Sequence, residues 1–359
     1  MATSIPASQA RAQFTSDCID VFTDVLMPKS FLRSFFPNSQ SYVRYLSIQV
    51  QRNYENVAVD VIRGTEGNRN NFYKSTEKVI DPPYYREFFD MTEIDLYDRL
   101  FGSTAIDAGV YSQLINAVSL KLQELRAKIE RAYELQCANV LETGVVTLTN
   151  STNIDFGRKS GSLVDKGAGN YWATGTVDPF ADMQAACTFL RQTGKSAGQV
   201  FNAILGAQAM NDLFNNTIFK GRVFSTLSNT IDLVRQPQRE AIGGTFHGTL
   251  TAGPYLVNLW SYPEYYDLSG TSTPYLDTKK VIFIPEAPRF KLGFAAVPQL
   301  LRAGTGTTED MELNNLVASP YIVGDYIDQR NTAHIMDIKS AGIPIPTAVD
   351  QIYTLKVVA

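Results

Sequence analysis

The chain has 359 residues, 44% of them apolar and 19% charged, enough for two or three domains or one large one. Wholesale disorder is excluded by that composition. A net charge of -4 argues against a strongly basic nucleic-acid binder and against a polybasic membrane anchor.

The segment MATSIPASQARAQF lacks the basic-then-apolar plan of a signal peptide, and no apolar run approaches 18 residues. A soluble protein that stays where it is made is expected. Cys18, Cys137 and Cys187 stand far apart, without a CxxC or Cys/His grouping. Reduced thiols are expected, with neither a disulfide framework nor a metal site. His247 and His334 are the only histidines, which leaves acid/base chemistry few candidates.

In chain order, Ile19, Phe22, Val25 and Leu26 lie at helical spacing and Pro28 stops the pattern. An aromatic cluster, SFLRSFFPNS, follows. Residues 43–80 predict a long antiparallel ribbon. Leu46, Ile48 and Val50 alternate with polar residues, and Val57, Val59 and Val61 continue the pattern. The turn is GTEGNRNN, the return strand is FYKSTEKVI, and Asp81-Pro82-Pro83 closes it. Such a ribbon cannot bury its own faces and needs another surface.

Thr92 and Asp95 predict a short capped helix ending near Gly102, and Glu93, Asp95 and Asp98 read as its first-turn acids. From 105 to 142 the residues Val110, Leu114, Val118, Leu122, Leu125, Ile129 and Ala132 form one apolar stripe. That predicts a helical rod of roughly 55 Å, with Glu124–Lys128 and Arg126–Glu130 paired on its wet side. Gly144 ends it. A hairpin of VVTLT and NIDF follows, then a glycine-rich loop. Asp178-Pro179 starts a helix that runs to about Gln192.

Farther on, QVFNAIL reads as a buried strand and AQAMNDLF as a short helix. PYLVNLWSY and KKVIFIP read as strands, and TGTTEDMELNN as an acidic turn-rich stretch. The last strands, HIMDIKS and IYTLKVV, are separated by GIPIPTAVDQ as a loop.

No catalytic constellation emerges. Gly194-Lys195-Ser196 resembles the end of a phosphate-binding loop, but Phe189 stands where the first glycine belongs and the triplet follows a helix. Arg158 and Lys159 read as solvated loop charges. No enzyme activity, cofactor or metal is expected.

Taken in order, several of these segments resemble the major capsid protein E family of lambda-like tailed phages. The likeness runs through SFLRSFFPNS, VIRGTEGNRNNF, NIDFGR, YWATGTVDPFADMQAA, VFNAILGAQAMNDLF and IMDIKSAGIPIPTAVDQIYTLKVV. It covers about Phe31 to Ala359, and residues 1–30 match poorly.

The resemblance implies an α+β, Hong Kong 97-type capsid fold. Its parts would be an N-terminal arm at 1–42, an E-loop hairpin at 43–92 and a peripheral domain at 93–178 with its spine helix at 105–142. An axial domain at 179–325 and a return to the peripheral domain at 326–359 would follow. The E-loop tip, with Arg63, Gly64, Glu66, Gly67, Arg69 and Phe72, would contact a neighbouring subunit.

It further implies a major capsid protein that forms pentamers and hexamers of an icosahedral head around double-stranded DNA. The partners would be a separate scaffolding protein, a portal protein, a decoration protein and the packaged DNA, held weakly and non-specifically, with no membrane. The expected location is the virion, and the host cytoplasm during assembly. A nanocompartment shell of the encapsulin type is the alternative.

Overall fold

The computed structural model describes residues 30–50, 76–91, 108–148, 153–223, 231–240, 242–268, 270–303, 310–317, 319–328 and 333–359. Its longest element is helix α1, Ala108–Glu142. Ile115, Val118, Leu122, Leu125, Ile129 and Tyr133 step by threes and fours and are all buried. Each such side chain contributes about 1.5–3 kcal/mol when fully buried, which is why the stripe holds. The helix stops where Gly144 turns to φ +77 and its N–H reaches Val140 O at 2.9 Å.

The buried stripe of α1 lies on a five-stranded sheet. Asn38–Gln40, Phe290–Phe294, Ala333–Pro346 and Ile322–Asp328 are neighbours in that order, and Tyr84–Met91 pairs with the amino-terminal half of Ala333–Pro346. One correction arises here. The segment expected as the loop GIPIPTAVDQ continues the strand through Pro346, with Pro344 opposite Leu292 and Pro346 opposite Phe290. Alternate N–H groups of a strand face opposite edges, so two prolines spaced by two leave every second donor for the ladder.

The second layer is a seven-stranded sheet. Its order is Leu163–Asp165, Tyr353–Lys356, Lys280–Pro285, Val200–Leu205, Tyr255–Ser261, Thr245–Ala252 and Ile231–Arg239. Its central strands are buried on both faces, which explains their continuous apolar runs. Phe201, Leu205, Val281 and Phe283 face one core with helices α2 (Pro179–Gln192), α3 (Ala207–Asn215) and α4 (Thr217–Val223). Ile204, Ile282, Ile284 and Ile352 face the other core, shared with α1. The Asp178 carboxylate accepts the N–H of Phe180 at 3.0 Å, with Pro179 in the first turn, as the sequence chemistry requires.

Four two-stranded ribbons complete the described chain. Leu46–Val50 pairs antiparallel with Thr76–Ile80, and Val145–Val146 with Ile154–Asp155. Tyr265–Leu268 pairs with Thr271–Pro274. The fourth corrects the sequence reading: Asp310–Val317, expected in a turn-rich stretch, is a strand paired with Val297–Ala303. Pro298 faces Leu316 and Gln299 faces Asn314, so Asn315 is an extra residue. That bulge breaks the alternation by which a strand is recognised.

Candidate functional site

Leu46 and Ile80 sit opposite each other at the base of the first ribbon and are both buried in the α1 core. They plug the ribbon into the sheet layer. Around them the surface is apolar and open. Tyr42 is 73% and Val79 62% exposed, and Val43, Tyr45 and Tyr84 are exposed as well. A cleft of about 900 Å³ opens beside them, lined by Arg44, Ile80, Pro82, Ile154, Ala296 and Val297 among others. On its rim Arg44 pairs with Asp81 at 3.0 Å and lies over the Tyr45 ring. Concentrated apolar exposure of this kind marks an interaction surface. The sequence-predicted contact residues Arg63, Gly64, Glu66, Gly67, Arg69 and Phe72 lie outside the described residues.

The segment Phe31–Phe36 is clamped by two carboxylates of α1. Glu134 accepts the N–H groups of Leu32 at 2.8 Å and Arg33 at 2.9 Å. Glu130 pairs with the Arg33 guanidinium and accepts the Tyr321 hydroxyl. Phe31 packs against Phe35, Trp260 and Tyr262, which links α1 to the seven-stranded sheet. The wet-side pair expected at Arg126–Glu130 is therefore corrected. Glu130 is 3% exposed and serves Arg33, while Arg126 stacks over Tyr321 at 4.8 Å. Glu124 does face solvent, paired with Lys121 at 2.7 Å, whereas Lys128 turns to Glu87. Helical spacing alone cannot separate these cases, because the cation that Glu130 serves, Arg33, comes from a segment about a hundred residues away.

Arg158 is corrected in the same way. It is no solvated loop charge but a part-buried group with five hydrogen bonds to neutral acceptors. Burial draws its pKa down to about 10. Lys159 pairs with Asp350 at 3.3 Å.

Chemistry-bearing groups are dispersed among the described residues. His247 Nε2 meets Ser261 Oγ at 2.7 Å, and burial lowers its pKa. His334 lies 3.4 Å from Asp325 on another sheet. No cluster of three or more His, Cys, Asp or Glu could hold a metal among the described residues. Cys137 and Cys187 are buried, and burial pushes the Cys187 thiol up to about 12. Gly194-Lys195-Ser196 follows α2. Ser196 N–H donates to Leu190 O, and a Cβ at Gly194 would stand 2.6 Å from Asp350 O. Its backbone is committed to packing.

The sequence profile of the family described as "Phage major capsid protein E" matches residues 25–357. The chain belongs to that family. It is a phage major capsid protein, a component of the virion that self-associates in a shell. A prophage protein of E. coli CFT073 assigned as a capsid protein superposes with a TM-score of 0.60 at 17% identity, covering 100% of both chains. The mature capsid of bacteriophage PhiM1 gives a TM-score of 0.48 at 11% identity, over 93% of this chain and 88% of that one. The SrpI encapsulin of Synechococcus elongatus PCC 7942 gives 0.45 at 11% identity, over 99% and 96%. No curated protein matches the sequence. Likeness at this identity speaks to fold, and the fold of this capsid protein is the Hong Kong 97 type. The family match, not the fold, separates it from encapsulins.

Proposed function

We propose that this capsid protein assembles as pentamers and hexamers into the icosahedral head around the double-stranded DNA of a tailed phage, with the first ribbon laid on a neighbouring subunit. One observation carries the contact. The ribbon Leu46–Val50/Thr76–Ile80 pairs only with itself among the described residues, and large apolar side chains stand exposed at its base. An isolated two-stranded ribbon is marginal in water, so a neighbour must cover it. Residues Arg63, Gly64, Glu66, Gly67, Arg69 and Phe72 would make the far end of that contact.

The division into arm (1–42), E-loop (43–92), peripheral (93–178 and 326–359) and axial (179–325) domains belongs to the same reading. So do assembly in the host cytoplasm, a purely structural role without catalysis, and a scaffolding protein, a portal protein and a decoration protein as partners. The net charge of -4 supports only weak, salt-sensitive contact with packaged DNA, because tight binding needs many cationic phosphate contacts.

Electron microscopy of the expressed full chain tests the reading. Closed particles are expected, and a small defined oligomer would overturn it. Deleting residues 64–71 should leave the monomer folded and abolish particles, and normal particles from that deletion would exclude the ribbon contact.

A further inference from the structure

At the end of α1 the joint with the seven-stranded sheet is polar. Glu142 pairs with Lys280 at 3.4 Å and accepts the N–H of Asp277, and beside it a larger network gathers on one guanidinium. Arg158 Nη1 donates to Leu141 O at 3.0 Å, at the last turn of α1. Nη2 donates to Ser162 O at 3.0 Å, to Thr354 Oγ1 at 3.1 Å and to Ile352 O at 3.2 Å. Nε donates to Ser162 Oγ at 3.2 Å. The Thr354 hydroxyl in turn donates to Leu141 O at 3.0 Å, which closes a ring of Arg158, Thr354 and Leu141.

The end of α1 and the strand Tyr353–Lys356 therefore meet on one side chain, which the turn Ser160–Ser162 that follows it in the chain holds in place. Gly144 keeps the slot open. It sits at φ +77, and a Cβ there would fall 2.4 Å from Arg158 Cδ. A cation at a helix C-terminus is also favoured by the helix dipole.

This network fixes direction in a way that apolar packing does not. The cores on the two faces of the seven-stranded sheet supply non-directional attraction. The planar fork of an arginine holds its acceptors at set angles. Leverage makes the angle matter, since a tilt of about 3° at one end of a ~52 Å helix moves the other end by roughly 3 Å. Whether and at what size an assembly closes depends on the angles that its copies present to one another.

We propose that Arg158 is a positioning residue for assembly: it sets the angle between the α1 layer and the seven-stranded sheet, and so the curvature at which copies of this chain close. The proposal rests on the reading of the chain as a shell-forming protein. The test compares full-length Arg158→Lys and Thr354→Val with the unaltered chain, by circular dichroism, thermal unfolding and particle diameters in negative-stain microscopy. Both variants should keep the native spectrum and cooperative unfolding, while the spread of diameters widens at least twofold or open sheets appear. Folded variants with the unaltered diameter distribution would overturn it. If Arg158→Lys fails to fold, Thr354→Val, which removes a single hydroxyl, decides the matter. Failure of both to fold also overturns the proposal, because Arg158 would then serve folding alone. Absence of particles from the unaltered chain would instead remove the shell reading, and this proposal with it.

Discussion

Glu134 Oε1 accepts the backbone N–H of Leu32 at 2.8 Å across 102 residues of sequence. The other carboxylate oxygen takes Arg33 N–H, so one acid caps the entry to the turn Leu32–Phe35. Glu134→Ala would strand both donors in a buried site, at about 1–3 kcal/mol for each unsatisfied group. Urea denaturation should register that loss. An unchanged midpoint would deny the clamp its role.

The same acid should leave a mark on pH dependence. Burial holds its pKa above the usual 4.5, against the pull of the two N–H groups and Arg33, and Tyr262 lies close by. The native state therefore binds this proton more tightly than the unfolded chain does. Stability attributable to Glu134 rises as pH falls from neutral through its folded pKa, and it levels off below 4.5. Glu134→Gln removes the titration while keeping the shape. As pH falls from neutral toward 4.5 the unaltered protein should gain stability relative to Glu134→Gln. A difference that stays constant with pH would show that Glu134 does not titrate in this window.

Arg33 and Glu130 form the charged half of the clamp, with side chains 15% and 3% exposed. Breaking a buried pair from one side leaves the other charge uncompensated, which costs about 3–5 kcal/mol. Arg33→Met alone should be severe, and adding Glu130→Met should recover most of the loss. A strictly additive double variant would mean the two groups are not coupled.

Two glycines should respond oppositely to alanine. A Cβ at Gly206 would lie 2.4 Å from Asp277 O and 2.6 Å from Thr278 C, backbone atoms that cannot swing aside. At Gly221, inside α4, a Cβ would meet nothing within 4 Å. Gly221→Ala should stabilise by about 0.5–1 kcal/mol through helix propensity. Gly206→Ala should destabilise, by about 1–3 kcal/mol for the forced backbone shift. Thermal unfolding of the two variants separates them, and the same direction of shift in both would contradict this packing.

What the sequence made legible was local. The α1 stripe announces itself because each turn repeats the same face, and Asp178-Pro179 declares a helix start within two residues. The amino-terminal part of Ala333–Pro346 is legible as the strand HIMDIKS, but its continuation through Pro346 is hidden because prolines signal loops, and only the register against Phe290–Phe294 shows them accommodated at an edge. Asp310–Val317 was hidden by its bulge. The roles of Arg158 and Glu130 escape the sequence for a different reason. Their partners lie up to 196 and 191 positions away, so the desolvation that gives these charges their role exists only after the layers pack. Of the candidate contact surface, the ribbon base could be foreseen from alternation, whereas the cleft beside it is built from five separate stretches of chain.

The last prediction concerns how the shell is closed. Lys74 and Lys78 of the ribbon are the amines to consider for a covalent link between copies. Lys74 lies outside the described residues. Lys78 is on the return strand, opposite Ile48 in an antiparallel register, beside Glu77 opposite Gln49. A lysine attacks an amide only after losing its proton, which requires strong desolvation or a neighbouring base. Among the described residues no third strand of this chain pairs with the ribbon. The apolar surface at the ribbon base, spread over Tyr42, Val43, Tyr45, Val79 and Tyr84, offers instead the many weak contacts that hold large assemblies without covalent bonds. Mature particles boiled in detergent with reductant should therefore run as one band near 39.8 kDa. A ladder of oligomers that survives this treatment would show that the copies are covalently joined. Persistence of the ladder in a Lys74→Arg/Lys78→Arg variant would place the bond elsewhere in the chain.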